Sequence, residues 1–243
     1  MLKNLNNNFH LLNLIVMTYK SLILMRLFKN IENYCTRSLV FFSMCLLPIK
    51  FVDAQVIEKE YTTIEEALKE PDKVLRLNLE NQKSHDYYNE LAKFKNLKYL
   101  NLRNTDLDVV PEEILTLKHL ETLDMGKNNF STLPRSFSSL KNLQELYLDH
   151  DRNLNLFEGF EVLGKLKRLR ILHLENDGIK ELPGNINKLS HLEQLYLSEN
   201  NLNTIPIEIK GLKKLNYLDV HHNPILAPLN TIKTYKGGLK IKF

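Results

Sequence analysis

Asp149 and Glu175 are the carboxylate pair in this sequence whose spacing could support catalysis. They lie 26 residues apart, and if the chain coils with that interval they fall on neighbouring strands. Their separation would then be near the roughly 5 Å at which retaining glycosidases hold an acid and a nucleophile. A shallow open sheet, however, neither excludes water nor drives two carboxyl pKa values apart. Catalysis is therefore not expected, and no catalytic residue is assigned. The histidines invite a metal reading that geometry weakens. His150 lies three positions further along its strand than His173 does on the next, which implies roughly 10 Å between them. His221 and His222 are adjacent and in a strand would face opposite ways, so neither a metal site nor a cofactor is expected. No glycine-rich phosphate loop, nucleophile elbow or basic-aromatic stripe occurs. Cys35 and Cys45 both precede residue 55, leaving the rest of the chain without a disulfide framework. What remains is the chemistry of binding.

The elements that must position such a surface are set by a period. A leucine-type residue returns every 23 residues at Val74, Leu97, Leu120 and Leu143, then after one interval of 26 at Leu169, Leu192 and Leu215. From each of these, apolar residues fall at plus 3 and plus 5, as in Leu100 and Leu102 or Leu195 and Leu197. That alternation predicts a short strand with one buried face. At plus 8 stands a residue able to bond backbone groups: Gln82, Thr105, Asn128, Asp151, Asp177, Asn200 and Asn223. Such side chains satisfy the donors and acceptors that a turn leaves open. Apolar residues at plus 13, 17 and 20 line one helical face, with Pro111, Pro134, Pro183 and Pro206 at plus 14. Pro is tolerated in a first helical turn, so each unit is expected to run strand, turn, short helix or 3₁₀ turn, and return. No such unit can bury enough to fold alone, so units must stack. The 26-residue unit, Leu143 to Arg168, lacks the proline and crowds Leu154, Leu156, Phe157, Phe160 and Val162 together. It is expected to carry a longer helix packed into the same core.

If plus 3 and plus 5 point inward, plus 2, plus 4 and plus 6 must point to the opposite face of the sheet. The plus 4 column reads Asn78, Asn101, Asp124, Tyr147, His173, Tyr196 and Asp219. With strands about 4.8 Å apart, Tyr147, His173 and Tyr196 should form one aromatic patch. Plus 2 contributes Tyr99, Glu145, Gln194 and Tyr217, and plus 6 contributes Arg103, Asp149, Glu175 and His221. Tyrosine gives large contact area at low entropic cost. The expected partner-binding set is Tyr99, Asn101, Asp124, Glu145, Tyr147, Asp149, His173, Glu175, Gln194, Tyr196, Tyr217 and Asp219. Its carboxylates suit a protein partner with some basic groups.

The formal charge of +4 resides in the first 55 residues, which hold six Lys or Arg against Glu32 and Asp53. From Val56 onward the chain is formally neutral, and no nucleic-acid partner is expected. Residues 1–55 have the layout of a secretory signal. Basic Arg26, Lys29 and Arg37 precede the apolar run Ser38 to Ile49, and Val52 and Ala54 stand before Gln55 as a cleavage signature. The run is too short to span a bilayer stably, and translation from Met25 would give a signal of ordinary length. The alternatives are an N-terminal membrane anchor and a cytoplasmic chain. Residues 56–73 are read as a capping helix, with Thr62 or Thr63 as its cap and Pro71 as its stop. Residues 226–243 are read as a second cap, closing in a strand at Leu239 to Phe243 with lysines outward.

The offsets from residue 74 to 225 resemble those of the leucine-rich repeat family, in particular its 23-residue class. Leu133-Pro134 and Ile205-Pro206 resemble the repeats of plant intracellular Ras-group and Ras-suppressor-type proteins, which also occur in secreted bacterial proteins. Tyr61 to Leu68 followed by Val74 to Leu79 is similar to the opening segment of the bacterial type. The resemblance implies an α/β solenoid, a horseshoe with a parallel sheet on its concave face, short helices or 3₁₀ turns on its convex face, and ligand recognition on the concave side. Function is accordingly expected to be non-catalytic protein binding by an exported, secreted or surface protein. An intracellular signalling scaffold is the alternative, and a glycan-active enzyme a minor one.

Overall fold

The computed structural model describes residues 58–84, 86–226 and 238–243. The expected signal segment and the helical stretch around Leu229 to Tyr235 lie outside these residues. Nine strands follow one another: β1 (Glu60–Tyr61), β2 (Arg76–Asn78), β3 (Tyr99–Asn101), β4 (Thr122–Asp124), β5 (Glu145–Tyr147), β6 (Ile171–His173), β7 (Gln194–Tyr196), β8 (Tyr217–Asp219) and β9 (Lys240–Lys242). They form a single unclosed parallel sheet in sequence order. The register is strictly repeated, so that the plus 3 residues Leu77, Leu100, Leu123, Leu146, Leu172, Leu195 and Leu218 are paired in turn. All seven are buried, as are the plus 5 residues from Leu79 to Val220. One continuous apolar core therefore runs the length of a horseshoe solenoid.

The strands are short because the backbone leaves the extended region immediately after them. Asn81, Asn104, Lys127, His150, Asn176, Glu199 and His222, each at plus 7, all have φ between 56° and 65°. That left-handed residue turns the chain out of the sheet, and the plus 8 side chain secures the turn. Asn128 donates from Nδ2 to the carbonyls of Leu102, Met125 and Gly126 at 3.0, 2.7 and 3.2 Å, while its Oδ1 accepts from the N–H groups of Thr105 and Leu107. Asn200 repeats this pattern on Leu174, Leu197, Ser198, Asp177 and Ile179. Buried backbone groups in the turn are thereby satisfied by the next coil.

On the outer side, 3₁₀ turns occupy Glu112–Thr116, Arg135–Ser139, Gly184–Lys188 and Ile207–Gly211. The prolines sit one residue earlier than a first helical turn. Pro111, Pro134, Pro183 and Pro206 are N-caps with φ of −60° to −66° and extended ψ, and their carbonyls accept the first bonds of the turns, as Pro134 does from Phe137 N–H at 2.9 Å. The 26-residue unit instead carries the helix Leu156–Leu163, capped by Asn155 through Glu158 N–H. Phe160, Val162 and Leu163 are buried, whereas Phe157 remains 57% exposed.

Before the first full coil, Thr63 caps the helix Ile64–Ala67 by accepting from Glu66 N–H at 3.2 Å. The sequence signals only this helix there. β1 is added because Tyr61, buried, pairs with Leu77 and so takes a core position. Among the described residues no helix is long and apolar enough to cross a membrane.

Candidate functional site

The sheet register brings the plus 4 residues into one column, with Asp124 paired to Tyr147, Tyr147 to His173, His173 to Tyr196 and Tyr196 to Asp219. The rings stack. Tyr147 and His173 have centroids 3.9 Å apart at an interplanar angle of 9°, and His173 and Tyr196 are 4.4 Å apart at 6°. Tyr217, from plus 2 of the next strand, extends the row at 5.3 Å in a tilted arrangement. Alternation along each strand puts plus 2 beside plus 4, and those neighbours tie the phenols down. Tyr147 Oη donates to Glu145 Oε1 and Tyr196 Oη donates to Gln194 Oε1, both at 2.8 Å.

His173 is the centre of the row in charge as well as in space. Its Nε2 lies 3.3 Å from Glu145 and its Nδ1 3.2 Å from Glu175. Burial alone would lower its pKa, but the hydrogen bonds to Glu145 and then Glu175 raise it to about 9. In return the Glu145 carboxyl is held below its ordinary range, chiefly by the His173 bond. An imidazolium between two tyrosine faces also gains cation–π attraction. The Tyr147 phenol is pushed upward, first by desolvation and then by its bond to Glu145, so it stays protonated and serves as a donor.

A second cluster lies beside the row. Arg103 binds both carboxylate oxygens of Asp149, two coils away, with Nη1 to Oδ1 at 2.9 Å, and its Nη1 is 3.4 Å from Asp124 Oδ1. Asp149 is desolvated, which would raise its pKa, yet the bonds from Arg103 and then His150 lower it. Asp124 shifts the other way because its own burial outweighs the Gly126 N–H and Arg103. The reach across the intervening coil depends on Gly126, where a Cβ would come within 2.5 Å of Arg103 Nη1 and 2.9 Å of Asp149. Neither Arg103's bridging role nor Gly126 is evident from the sequence, although an arginine, a glycine and an aspartate in successive plus 6 positions are the trace that it leaves.

Of the twelve residues expected to bind, Glu145, Tyr147, His173, Glu175, Gln194, Tyr196 and Tyr217 share one face over β5 to β8. Tyr99 is on the same face further along, beneath the guanidinium of Arg76 at 3.9 Å. Asp124 flanks the row. Asn101, Asp149 and Asp219 are buried. Asn101 accepts from Arg103 N–H, and Asp219 is bonded to His221 and Lys242. Asp149 and Glu175 are thus engaged by Arg103 and His173 respectively, not by each other. Among the described residues no cluster of His, Cys, Asp and Glu could hold a metal ion.

The chain matches the family described as leucine-rich repeat region over residues 72–159 and 157–234. Among solved structures, a leucine-rich repeat protein of Leptospira interrogans is 27% identical with a TM-score of 0.56, over 76% of this chain and 58% of that one. Internalin C2 of Listeria monocytogenes is 22% identical with a TM-score of 0.59, over 76% and 77%. The Toll–Spätzle complex of Drosophila matches at 23% identity and a TM-score of 0.56, over 70% of this chain and 22% of that one. The chain thus spans little more than half of the Leptospira protein. No curated protein matches it. Repeated parallel strands in one register, a buried leucine at each plus 3 and plus 5, and the profile match together place the chain in the leucine-rich repeat family.

Proposed function

We propose that the concave trough over β5 to β8 receives a protein partner and that the protein is an exported, non-catalytic binding module. The observation that carries this reading is the Tyr147–His173–Tyr196 stack. Its rings are fixed by neighbours on their own strands, so little side-chain entropy is left to lose on binding. The leucine-rich repeat fold supports a protein partner, since a curved sheet presents an extended concave surface. Carboxylates here are largely answered from within, by His173, Arg103, His221 and Lys242. A partner is therefore matched to phenol oxygens and ring edges more than drawn by negative charge.

Affinity enrichment with the wild-type chain and with Tyr147→Ser/Tyr196→Ser as baits, read by quantitative mass spectrometry, tests the trough. The partner is expected to be depleted at least about tenfold on the double variant, the loss of one or two aromatic anchors. Equal recovery on both baits would place recognition elsewhere. Export rests on the sequence of residues 26–54 and is checked separately, by the mature N terminus of protein taken from the medium, expected at Gln55.

A further inference from the structure

Of the five loops that close the coils just before β4 to β8, four carry Lys or Arg and none carries an acid. Their sequences are Leu117-Lys-His-Leu120, Leu140-Lys-Asn-Leu143, Leu166-Lys-Arg-Leu169, Leu189-Ser-His-Leu192 and Leu212-Lys-Lys-Leu215. The leucines are buried, which turns the residues between them outward, and Lys118, Lys141, Lys167, Arg168, Lys213 and Lys214 are all exposed. Successive loops lie against one another. Asn142 Nδ2 donates to the Lys118 carbonyl at 2.7 Å, and Arg168 Nη1 donates to Asn142 Oδ1 at 2.7 Å. Further along, the His191 imidazole is pushed down in pKa, first by burial and then by Lys214 and Lys167, so these charges share one edge. Other cations of the domain find carboxylates, as Lys83 finds Asp106 and Lys188 finds Glu161. Among the described residues, none of the six edge cations lies within salt-bridge distance of a carboxylate. A formally neutral repeat domain has therefore gathered cations in these loops, with Glu121 and Glu193 one residue beyond them, the latter facing Arg170.

We infer that this edge of the solenoid, independent of the concave trough, is a docking rail for a linear acidic polysaccharide. The cations form a file whose step is one coil, about 4.8 Å on the strand side, interrupted once at Ser190-His191. Such a step suits an extended single chain bearing one anionic group on each sugar ring. It is coarser than duplex DNA, with its charge per roughly 1.7 Å of axis. The loops offer no Phe, Tyr or Trp on which unpaired bases could stack. A bilayer is disfavoured for a related reason, because the exposed large apolar residues Val109, Phe157, Ile207, Leu226 and Phe243 are not in these loops. What the edge supplies is a row of exposed cationic side chains, Lys118 and Lys167 also bonding the Leu115 and Gly164 carbonyls, and such a row can hold a carboxylated or sulfated chain by counterion release.

The test uses the full chain with polygalacturonate and heparin as probes, with binding measured by calorimetry at several salt concentrations. Lys141→Ser/Lys167→Ser/Lys213→Ser/Lys214→Ser is compared with a control of equal charge loss, Lys69→Ser/Lys83→Ser/Lys127→Ser/Lys180→Ser. All eight side chains are exposed, and thermal unfolding verifies that both variants fold. The edge variant should lose at least about tenfold in affinity and show a shallower dependence on log salt, while the control should change less than about twofold. Equal losses in the two variants, or duplex DNA or phosphatidylserine vesicles binding the wild type as tightly as polygalacturonate at the same salt, would overturn the assignment.

Discussion

Asp151 and Asp177 stand where the asparagine ladder calls for an amide. Each does half of the work. Asp151 Oδ1 accepts from Asn128 N–H at 2.6 Å and Asp177 Oδ1 accepts from Asp151 N–H at 2.6 Å, as an asparagine oxygen would. The other oxygen has no proton to give unless the acid is neutral, and Asp151 Oδ2 is buried without a partner. Desolvation raises Asp151 to about 8 and Asp177 to about 7, outweighing the N–H bonds they accept. Both therefore bind a proton more tightly folded than unfolded. Stability should fall as pH rises from the ordinary carboxylate range through about 8, then level off. Asp151→Asn restores the amide donor and removes that titration. It should stabilise by about 1–3 kcal/mol at pH 8 and flatten the pH dependence, whereas a steeper fall in Tm above pH 6 than in the wild type would contradict this account. His173 gives the opposite lesson, since there two carboxylates overcome burial and keep the group charged.

At the scale of the element, the strand and its neighbours were largely legible in the sequence. Leucines at plus 3 and plus 5 are buried without exception, and the plus 4 column is a real column because each strand repeats the register of the last. What escaped has physical reasons. Turn residues at plus 7 are left-handed even where they are Lys127 or Glu199, types that carry no such preference, so the fold imposes the conformation against propensity. β1 lacks the repeat's spacing and is recruited by a single buried tyrosine. The Arg103–Asp149 bridge spans two coils, and such reach depends on side-chain length and on the missing Cβ of Gly126 rather than on periodicity. Gly126→Ala should accordingly dislodge the guanidinium and leave Asp149 buried beside a displaced cation. A loss of about 2–4 kcal/mol is expected, a little below the roughly 3–5 for removing one partner of a fully buried pair because Arg103 keeps some solvent contact, and the part due to the guanidinium should vanish in an Arg103→Ala background, leaving the contact with the Asp149 carbonyl. Equal losses in both backgrounds would mean that the alanine acts by simple crowding.

Across the described repeats, contacts run between adjacent coils, with few exceptions such as Arg103. Solenoids of this kind behave as chains of nearest-neighbour interfaces. Leu123 meets Leu100 on one side and Leu146 on the other in the same register. Excising residues 120–142 would therefore bring Leu146 against Leu100 in the same register, with Asp151 in place of Asn128 behind the Thr105 turn. That shortened protein should fold cooperatively with an unfolding enthalpy lower by roughly 16 kcal/mol, one coil's share at about 0.7 kcal/mol per residue. Excision of residues 120–131 alone, which removes a strand but keeps its outer turn, should not give a folded product. If the shorter cut folds as well as the longer, the coil is not the unit. The repeated pairing also makes the span of the trough adjustable independently of its local architecture. Evolution or an engineer can lengthen or shorten the grip by whole increments, each splice keeping leucine against leucine along the sheet.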